Sequence, residues 1–297
     1  MIKDVMNRSI YKRIANWMLN LILAGCVGII VWFLLVITSF SSFKVPTGSM
    51  EPAILPGDNI LVNKWITGAR IFDVWTSAEG REVEIHRLPG IRRIKRNDVV
   101  VFNDPYFRKR DSISMDIMRY HVKRCVALPG DTFQIHQGIN RVRGYNGGLG
   151  NEEGQKLLSH TFMPIEGWKE KGVFPQDSLT RWSLLEFGPL YLPKRGDEIV
   201  MNNRYLPLYK HLIEWEQKKK LKVQGDSILL EDSLIHTYRF NENYYFVAGD
   251  RVTSSRDSRY WGLLPEPYIV GVATLIWKST NKDTGKIRWN RIFKRIE

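Results

Sequence analysis

A mainly β domain behind one N-terminal transmembrane helix, with a cap subdomain inserted into it, is the architecture this 297-residue sequence predicts. Three observations support it. No residue between Arg13 and Lys44 is charged, and Trp17 to Phe40 is nearly all apolar, longer than the roughly 20 residues that cross a bilayer core. Beyond that run, turn residues lead repeatedly into short β-branched stretches with little helical periodicity. From Gln137 to Asn241 the rhythm gives way to a glycine-, proline- and aromatic-rich segment.

The N-terminus comes first. Lys3, Arg8, Lys12 and Arg13 precede the apolar run with only Asp4 against them, so the positive-inside tendency places residues 1–16 in the cytoplasm and the long C-terminal part outside it. A cleaved secretory signal would have an apolar region of about 7 to 15 residues and an A-x-A-like ending. Thr38 to Lys44 offers no such ending, and the run reads as an uncleaved anchor over 17–40.

The β domain follows. Pro56-Gly57-Asp58-Asn59 leads into Ile60–Trp65, Asn97-Asp98 into Val99–Phe102, Leu128–Asp131 into Thr132–Ile135, and Arg195–Glu198 into Ile199–Met201. In the insertion, Leu208, His211, Leu212 and Trp215 recur at helical spacing and predict a helix over Leu206–Leu221, with Lys218, Lys219 and Lys220 near its end. An aromatic strand, Tyr244–Val247, stops at Gly249-Asp250 and opens into a hydroxyl- and charge-rich loop; after Leu264-Pro265-Glu266 another strand follows, Ile269–Trp277.

The formal net charge of +13 suits nucleic acid or anionic lipid. With a span present the lipid surface is the better partner. No aromatic is interleaved with the basic run His86–Arg96 and no reading helix accompanies it, so it is read as a solvated, lipid-facing or partner-facing loop, and no nucleic-acid partner is expected. Cys26 lies in the apolar run and Cys125 in the soluble part, so the two cysteines cannot pair with each other.

The chemistry centres on Val45-Pro46-Thr47-Gly48-Ser49-Met50-Glu51-Pro52. Nine residues separate Phe40 from Ser49, so even an extended chain keeps this serine within about 30 Å of the bilayer. A serine hydroxyl needs a base before it attacks anything. Of the six histidines only His121 lies near a site-like stretch, two residues from a better candidate, Lys123. In a strand over Tyr120–Leu128, alternation puts Lys123 on one face with His121 and the small residues Cys125 and Ala127. To act as a base near neutral pH the amine must come down from about 10.4 by two to three units, roughly 3 to 4 kcal/mol against the ammonium form, and poor hydration can supply a shift of that size. Taken singly, a serine in a Gly-Ser turn is more often a turn residue than a nucleophile, and an isolated strand lysine is usually solvated.

Jointly the blocks Pro46–Pro56, Asn97–Phe102, Tyr120–Asp131 and Gly249–Ala273 resemble the bacterial type I signal peptidases, the Ser/Lys-dyad leader peptidases of family S26. The resemblance covers nearly the whole chain outside the insertion. It implies a coiled β-sheet catalytic domain, built from 41–136 and 242–297 around a cap at 137–241, that removes signal peptides at the outer side of the inner membrane. It further implies Ser49 as nucleophile, Lys123 as general base, Thr47 with the Ser49 N–H as oxyanion hole, and Ser255 orienting the lysine amine. Asp257 and Arg259 match an ion pair beneath the site, Gly249 and Asp250 the approach to it; Met50, His121 and Val122 are expected beside the substrate. The expected partners are Ala-x-Ala signal peptides and the lipid bilayer, with the secretion machinery a further candidate, and no metal or cofactor is implied. Three departures stand out, the first being the long insertion, which resembles the enlarged versions of some Gram-negative lineages. Arg251-Val252-Thr253-Ser254 replaces the family's usual Asn-Arg-Asp-Asn, leaving the bracing of that loop open, and Asn97 stands where glycine is usual. The alternatives are a weakened or specialised paralogue acting as a membrane-anchored binding module, and a self-cleaving repressor, which would need a DNA-reading helix pair where this chain has its apolar run.

Overall fold

The computed structural model describes residues 2–79, 81, 83–106, 112–160, 172–177 and 180–296. Of the expected cap, 161–171 and 178–179 lie outside the described residues. The N-terminal helix runs Ile2–Ser39. Its apolar stretch is Lys12–Leu35, 24 residues with a mean hydropathy of 2.5 and no part buried against the rest of the protein. At 1.5 Å per residue that stretch is about 36 Å long, enough to cross a core of about 30 Å. The helix stops one residue short of the predicted end because Phe40 is taken by a strand. Thr38 Oγ1 donates back to the Leu34 carbonyl at 2.8 Å, and Ser39 Oγ to that of Leu35.

The helix passes into β1 (Phe40–Lys44) with no linker between them. The main sheet continues with β2 (Asp58–Asn63), β3 (Val99–Asn103), β4 (Tyr120–Ala127), β5 (Tyr244–Ala248), β6 (Leu264–Pro265), β7 (Ile269–Ser279) and β8 (Lys294–Arg295). Its spatial order is β1-β2-β7-β3-β4-β5-β6, with β8 on β7 and every pairing antiparallel. The sheet is curled into a half-barrel. Four strand spacings separate β1 from β4, about 19 Å in a flat sheet, yet the rings of Phe43 and Tyr120 meet with centroids 4.7 Å apart. The curl arises in β7, whose register shifts against β3 once and against β2 twice; each bulge adds a bend and local twist. Gly271 makes the closest approach possible there, since a Cβ on it would stand 2.6 Å from the Asn63 carbonyl oxygen.

Both faces of the half-barrel are covered, which explains the continuous apolar run of β3. Val99 and Val101 point into an inner cluster with Val45, Met50, Ile54, Ile60 and Val62. Val100 and Phe102 join a larger outer cluster with Phe133 and Phe246, into which the insertion also packs.

Thr132–His136 does form the predicted strand, but it pairs with Ile139–Val142 and Glu186–Tyr191 rather than with the half-barrel, so the expected boundary after 136 falls inside a separate three-stranded sheet. The predicted Leu206–Leu221 helix covers Leu206–Gln217 only. Lys218 turns left-handed at φ 55, and Leu221 already opens a strand whose first N–H donates to Glu214 at 2.9 Å. The three lysines therefore follow the helix instead of completing its last turn.

Candidate active site

The serine turn is fastened at both ends by its own backbone. Val45 N–H donates to the Asp58 carbonyl and Gly57 N–H to the Val45 carbonyl, both at 2.8 Å. Met50 and Ile54, fully buried in the inner cluster, pin the turn from below. Ser49 is thereby held half-buried against β4, where Lys123 Nζ lies 2.6 Å from Ser49 Oγ.

Lys123 is 4 % exposed. Burial pushes its pKa down to about 8; Asp257 and Asp250 pull it back up, and Arg259 pushes it further down. The fall is of the size a base near neutral pH needs, although the surroundings differ from strict alternation. A bulge opposite Phe246 and Val247 shifts the register, so Cys125, Val126 and Ala127 all pack into the outer cluster instead of alternating.

Two buried bidentate ion pairs support the lysine. Arg259 donates to Asp257 through Nε at 2.7 Å and Nη2 at 2.6 Å. Arg124 does the same to Asp250 at 2.7 and 2.6 Å and adds a bond to the Asn97 carbonyl at 2.9 Å. Burial opposes the charge on Asp257, but the Arg259 guanidinium and the Gly249 N–H, which donates at 2.9 Å, hold the carboxyl below its usual range. Arg124, next to Lys123 in the chain, thus ties β4 to Asp250.

The expected hydrogen bond from Ser255 to the lysine amine is not formed. Ser255 is buried, and its Oγ has no hydrogen-bond partner among the described residues. Its side chain instead fills the space over Gly249, where a Cβ would stand 2.1 Å from Ser255 Oγ and 2.6 Å from the Ser49 carbonyl oxygen. Glycine at 249 is what lets the loop and the serine turn approach each other.

The Arg251–Ser254 segment, whose bracing was open, is held by bonds no local pattern announces. Arg251 N–H donates to the Ser49 carbonyl at 3.0 Å, and its guanidinium reaches Glu51 at 3.0 Å. Gly48 leaves room for that carboxylate, since a Cβ there would meet Glu51 Oε1 at 2.3 Å. From the insertion, Asn151 Nδ2 donates to the Asp250 carbonyl at 3.0 Å. Asn97 takes the left-handed backbone that glycine favours, φ 70, and its side chain donates to Gly148 at 2.9 Å and accepts from the Gly150 N–H at 2.8 Å.

The remaining expected residues line the open side. Thr47 is exposed, two residues before Ser49. His121 Nε2 lies 3.1 Å from Asp104 Oδ2. Val122 packs on the inner cluster with Met50. β5 pairs with β4 only from Arg124 to Ala127, so among the described residues the outer edge of Tyr120–Lys123 has no strand partner. No group of three or more metal-ligating side chains occurs among the described residues.

A sequence model of the family described as "Signal peptidase, peptidase S26" matches residues 14–161 and 192–278. A signal peptidase I of Buchnera aphidicola subsp. Baizongia pistaciae is 28% identical over 271 residues, covering 86% of this chain and 74% of the relative. That of Haemophilus influenzae is 27% identical over 292 residues, covering 87% and 70%, and that of Helicobacter pylori strain J99 is 24% identical over 320 residues, covering 98% and 94%. A crystal structure of a signal peptidase I from Enterococcus faecalis aligns with 18% identity and a TM-score of 0.27, covering 62% of this chain and all of that one. With a dry lysine against a turn serine in a curled β half-barrel, and a family match across both halves of that barrel, this chain belongs to the S26 signal peptidases, as a bacterial type I enzyme.

Proposed function

We propose that the protein is a membrane-anchored serine endopeptidase that cuts signal peptides from exported preproteins with Ser49 as nucleophile and Lys123 as general base. The observation that carries this reading is the 2.6 Å separation of Lys123 Nζ and Ser49 Oγ at a buried lysine. A neutral amine at that distance takes the hydroxyl proton as Oγ attacks the scissile carbonyl. The lysine returns the proton to the leaving amine, and water then hydrolyses the acyl-enzyme. The Ser49 backbone N–H donates to no described residue and, with the Thr47 hydroxyl, is available to the oxyanion, a charge that exists only in the transition state.

The substrate lies extended along the unpaired edge of Tyr120–Lys123, exchanging backbone hydrogen bonds with it. His121 and Val122 border that track and Met50 lies buried beneath it, which suits small side chains at the first and third positions before the cut. Asp257 and Arg259, with Asp250 and Gly249, keep the lysine dry and the serine turn close, and Ser255 fills the space between them. The helix holds the catalytic domain at the outer face of the inner membrane, N-terminus in the cytoplasm. The half-barrel does the chemistry, and the insertion, together with the three-stranded sheet that opens at Thr132, caps it.

The test uses the full-length protein in detergent with an Ala-x-Ala preprotein and maps new N-termini by mass spectrometry. A single cut after the second alanine is expected, lost by 10³-fold or more, on the order of nucleophile or base removal in other serine hydrolases, in both Ser49→Ala and Lys123→Met. Substantial cleavage by either folded variant would sink the dyad, and no cut by the wild type would leave a binding module.

A further inference from the structure

Away from the serine, a cleft of about 1000 Å³ opens between the arginine-rich loop 85–94 and the edge of the insertion. Its walls carry Arg87, Arg92, Arg93, Lys194 and Arg195 against the carboxylates of Glu242 and Glu266. Some of this charge is already matched: Arg92 pairs with Asp98 at 2.6 Å and Arg195 with Glu242 at 3.1 Å. The rest is not. Arg93 and Lys194 are exposed and meet no carboxylate among the described residues. Half-buried Arg87 donates to the Thr67 hydroxyl and to the carbonyls of Thr67, Gly68, Glu266 and Ile269, with the Glu266 and Glu242 carboxylates near enough to favour its charge, so the unmatched cations are Arg93 and Lys194. Leu88, Ile91 and Tyr245 give the same cleft an apolar side. Cations facing one another across a groove, unmatched and beside apolar wall, suit an anion carried on an amphiphile, and guanidinium groups suit phosphate oxygens above all.

The height of the cleft indicates where that anion comes from. Lys64 N–H donates to the carbonyl of Ser39, the last residue of the long helix, at 2.8 Å, and Ile91 N–H donates to the carbonyl of Trp65 at 2.8 Å. Two hydrogen bonds and one peptide unit therefore separate the cleft wall from the helix end, within about 15 Å. The apolar stretch outruns the bilayer core by several ångströms, so its end stands among the headgroups. Long arginine and lysine side chains cover the remaining distance.

We propose that this cleft binds a phosphate-bearing anion presented by an anionic phospholipid headgroup of the outer membrane face, an inference that rests on the membrane-anchored reading above. Arg93 and Lys194 grip the phosphate from opposite walls, and Leu88 and Ile91 lie against the glycerol and upper acyl chain.

The experiment is native mass spectrometry of the full-length protein in micelles doped with equal amounts of phosphatidylglycerol and phosphatidylcholine, alongside the Arg93→Ala/Lys194→Ala variant. Both residues are exposed and remote from Ser49, so cleavage of a preprotein in pure detergent stays unchanged and reports that the variant is folded. Selective retention of phosphatidylglycerol by the wild type, weakened about tenfold or more in the variant, is the expected result. Equal retention of the two lipids, or no weakening in the variant, overturns the proposal. Calorimetry with inorganic phosphate separates the sources: saturable binding of free phosphate without lipid selectivity removes the membrane as the source. Binding of an acidic peptide where neither lipid nor phosphate binds would assign the cleft to a protein partner instead. Vesicle flotation of the wild type tests the anchor independently, so loss of membrane association and loss of headgroup binding are told apart.

Discussion

Two kinds of ion pair surround the same serine and lysine, and they do different work. Arg259–Asp257 and Arg124–Asp250 are buried, with side-chain exposures of 3%/0% and 7%/3%. Arg251–Glu51, on the other side of Ser49, is wet, at 52%/31%. The dry pairs place full charges in a low-dielectric setting where they shift the lysine's proton affinity. The wet pair is screened by solvent; what it does is hold the serine turn against the loop after Asp250. Electrostatics that tune chemistry and electrostatics that fix position are thus separated by a single turn of chain.

The largest effect that would break this contrast comes from a dry pair. Asp257→Ala strands the Arg259 guanidinium in the interior and should cost about 3–5 kcal/mol, read as a fall in urea midpoint. Replacing both partners by apolar residues, Asp257→Leu with Arg259→Met, should recover most of that stability while leaving Lys123 with altered proton affinity. If the single substitution is nearly neutral, the pairs are not dry in solution.

Lys123 itself comes next. Its folded pKa, about 8, lies below the unfolded value of about 10.5, so the unfolded state binds more protons between those two pH values and stability rises with pH across that window. Below pH 8 the folded protein bears the full cost of a charged buried amine, about 3 kcal/mol. Lys123→Met should therefore unfold at a higher urea midpoint than wild type at pH 7, with the gain vanishing above pH 10.5. A variant less stable than wild type at pH 7 would contradict the burial. The same pKa sharpens the kinetics: kcat/KM should rise about tenfold per pH unit up to about 8 and then level. A profile flat from pH 6 to 9 would remove Lys123 as the base.

The wet pair should give the smallest effect. Arg251→Ala should cost no more than about 1 kcal/mol of stability and lower kcat a few-fold, with KM held, because the turn it steadies carries the nucleophile. Salt should weaken the wild type toward the variant. Equal loss in Asp257→Ala and Arg251→Ala would erase the distinction between the two regions.

How much of this could be read from the sequence depends on the range of the interaction. The apolar helix, the Pro/Gly-punctuated serine turn and the β-branched runs are local patterns, and each appears where its pattern stands. The proximity of Ser49 to Lys123, 74 positions apart, came through resemblance rather than periodicity. Other features depend on three-dimensional closure. The bulge at β4 overrides strict alternation at Val126. Glu51 and Arg251 are 200 positions apart and meet only because β1 and β5 flank one curled sheet. The Ser255 hydroxyl was assigned to the amine, but the shape of Gly249 decides where it packs. Thr132–His136 looked like one more strand of the main sheet, and nothing in its residues discloses that its partners come from the insertion.

Asn97 carries a consequence for how such a chain could come to bear its large insertion. Its left-handed backbone would suit glycine equally well, and the corner leading into β3 would keep its shape. Only asparagine reaches out to Gly148 and Gly150. One exchange at this corner, silent to the backbone, therefore adds two hydrogen bonds to a graft already packed on the outer cluster and tied through Asn151 to Asp250, so its grip on the host can be tightened without disturbing the fold beneath it.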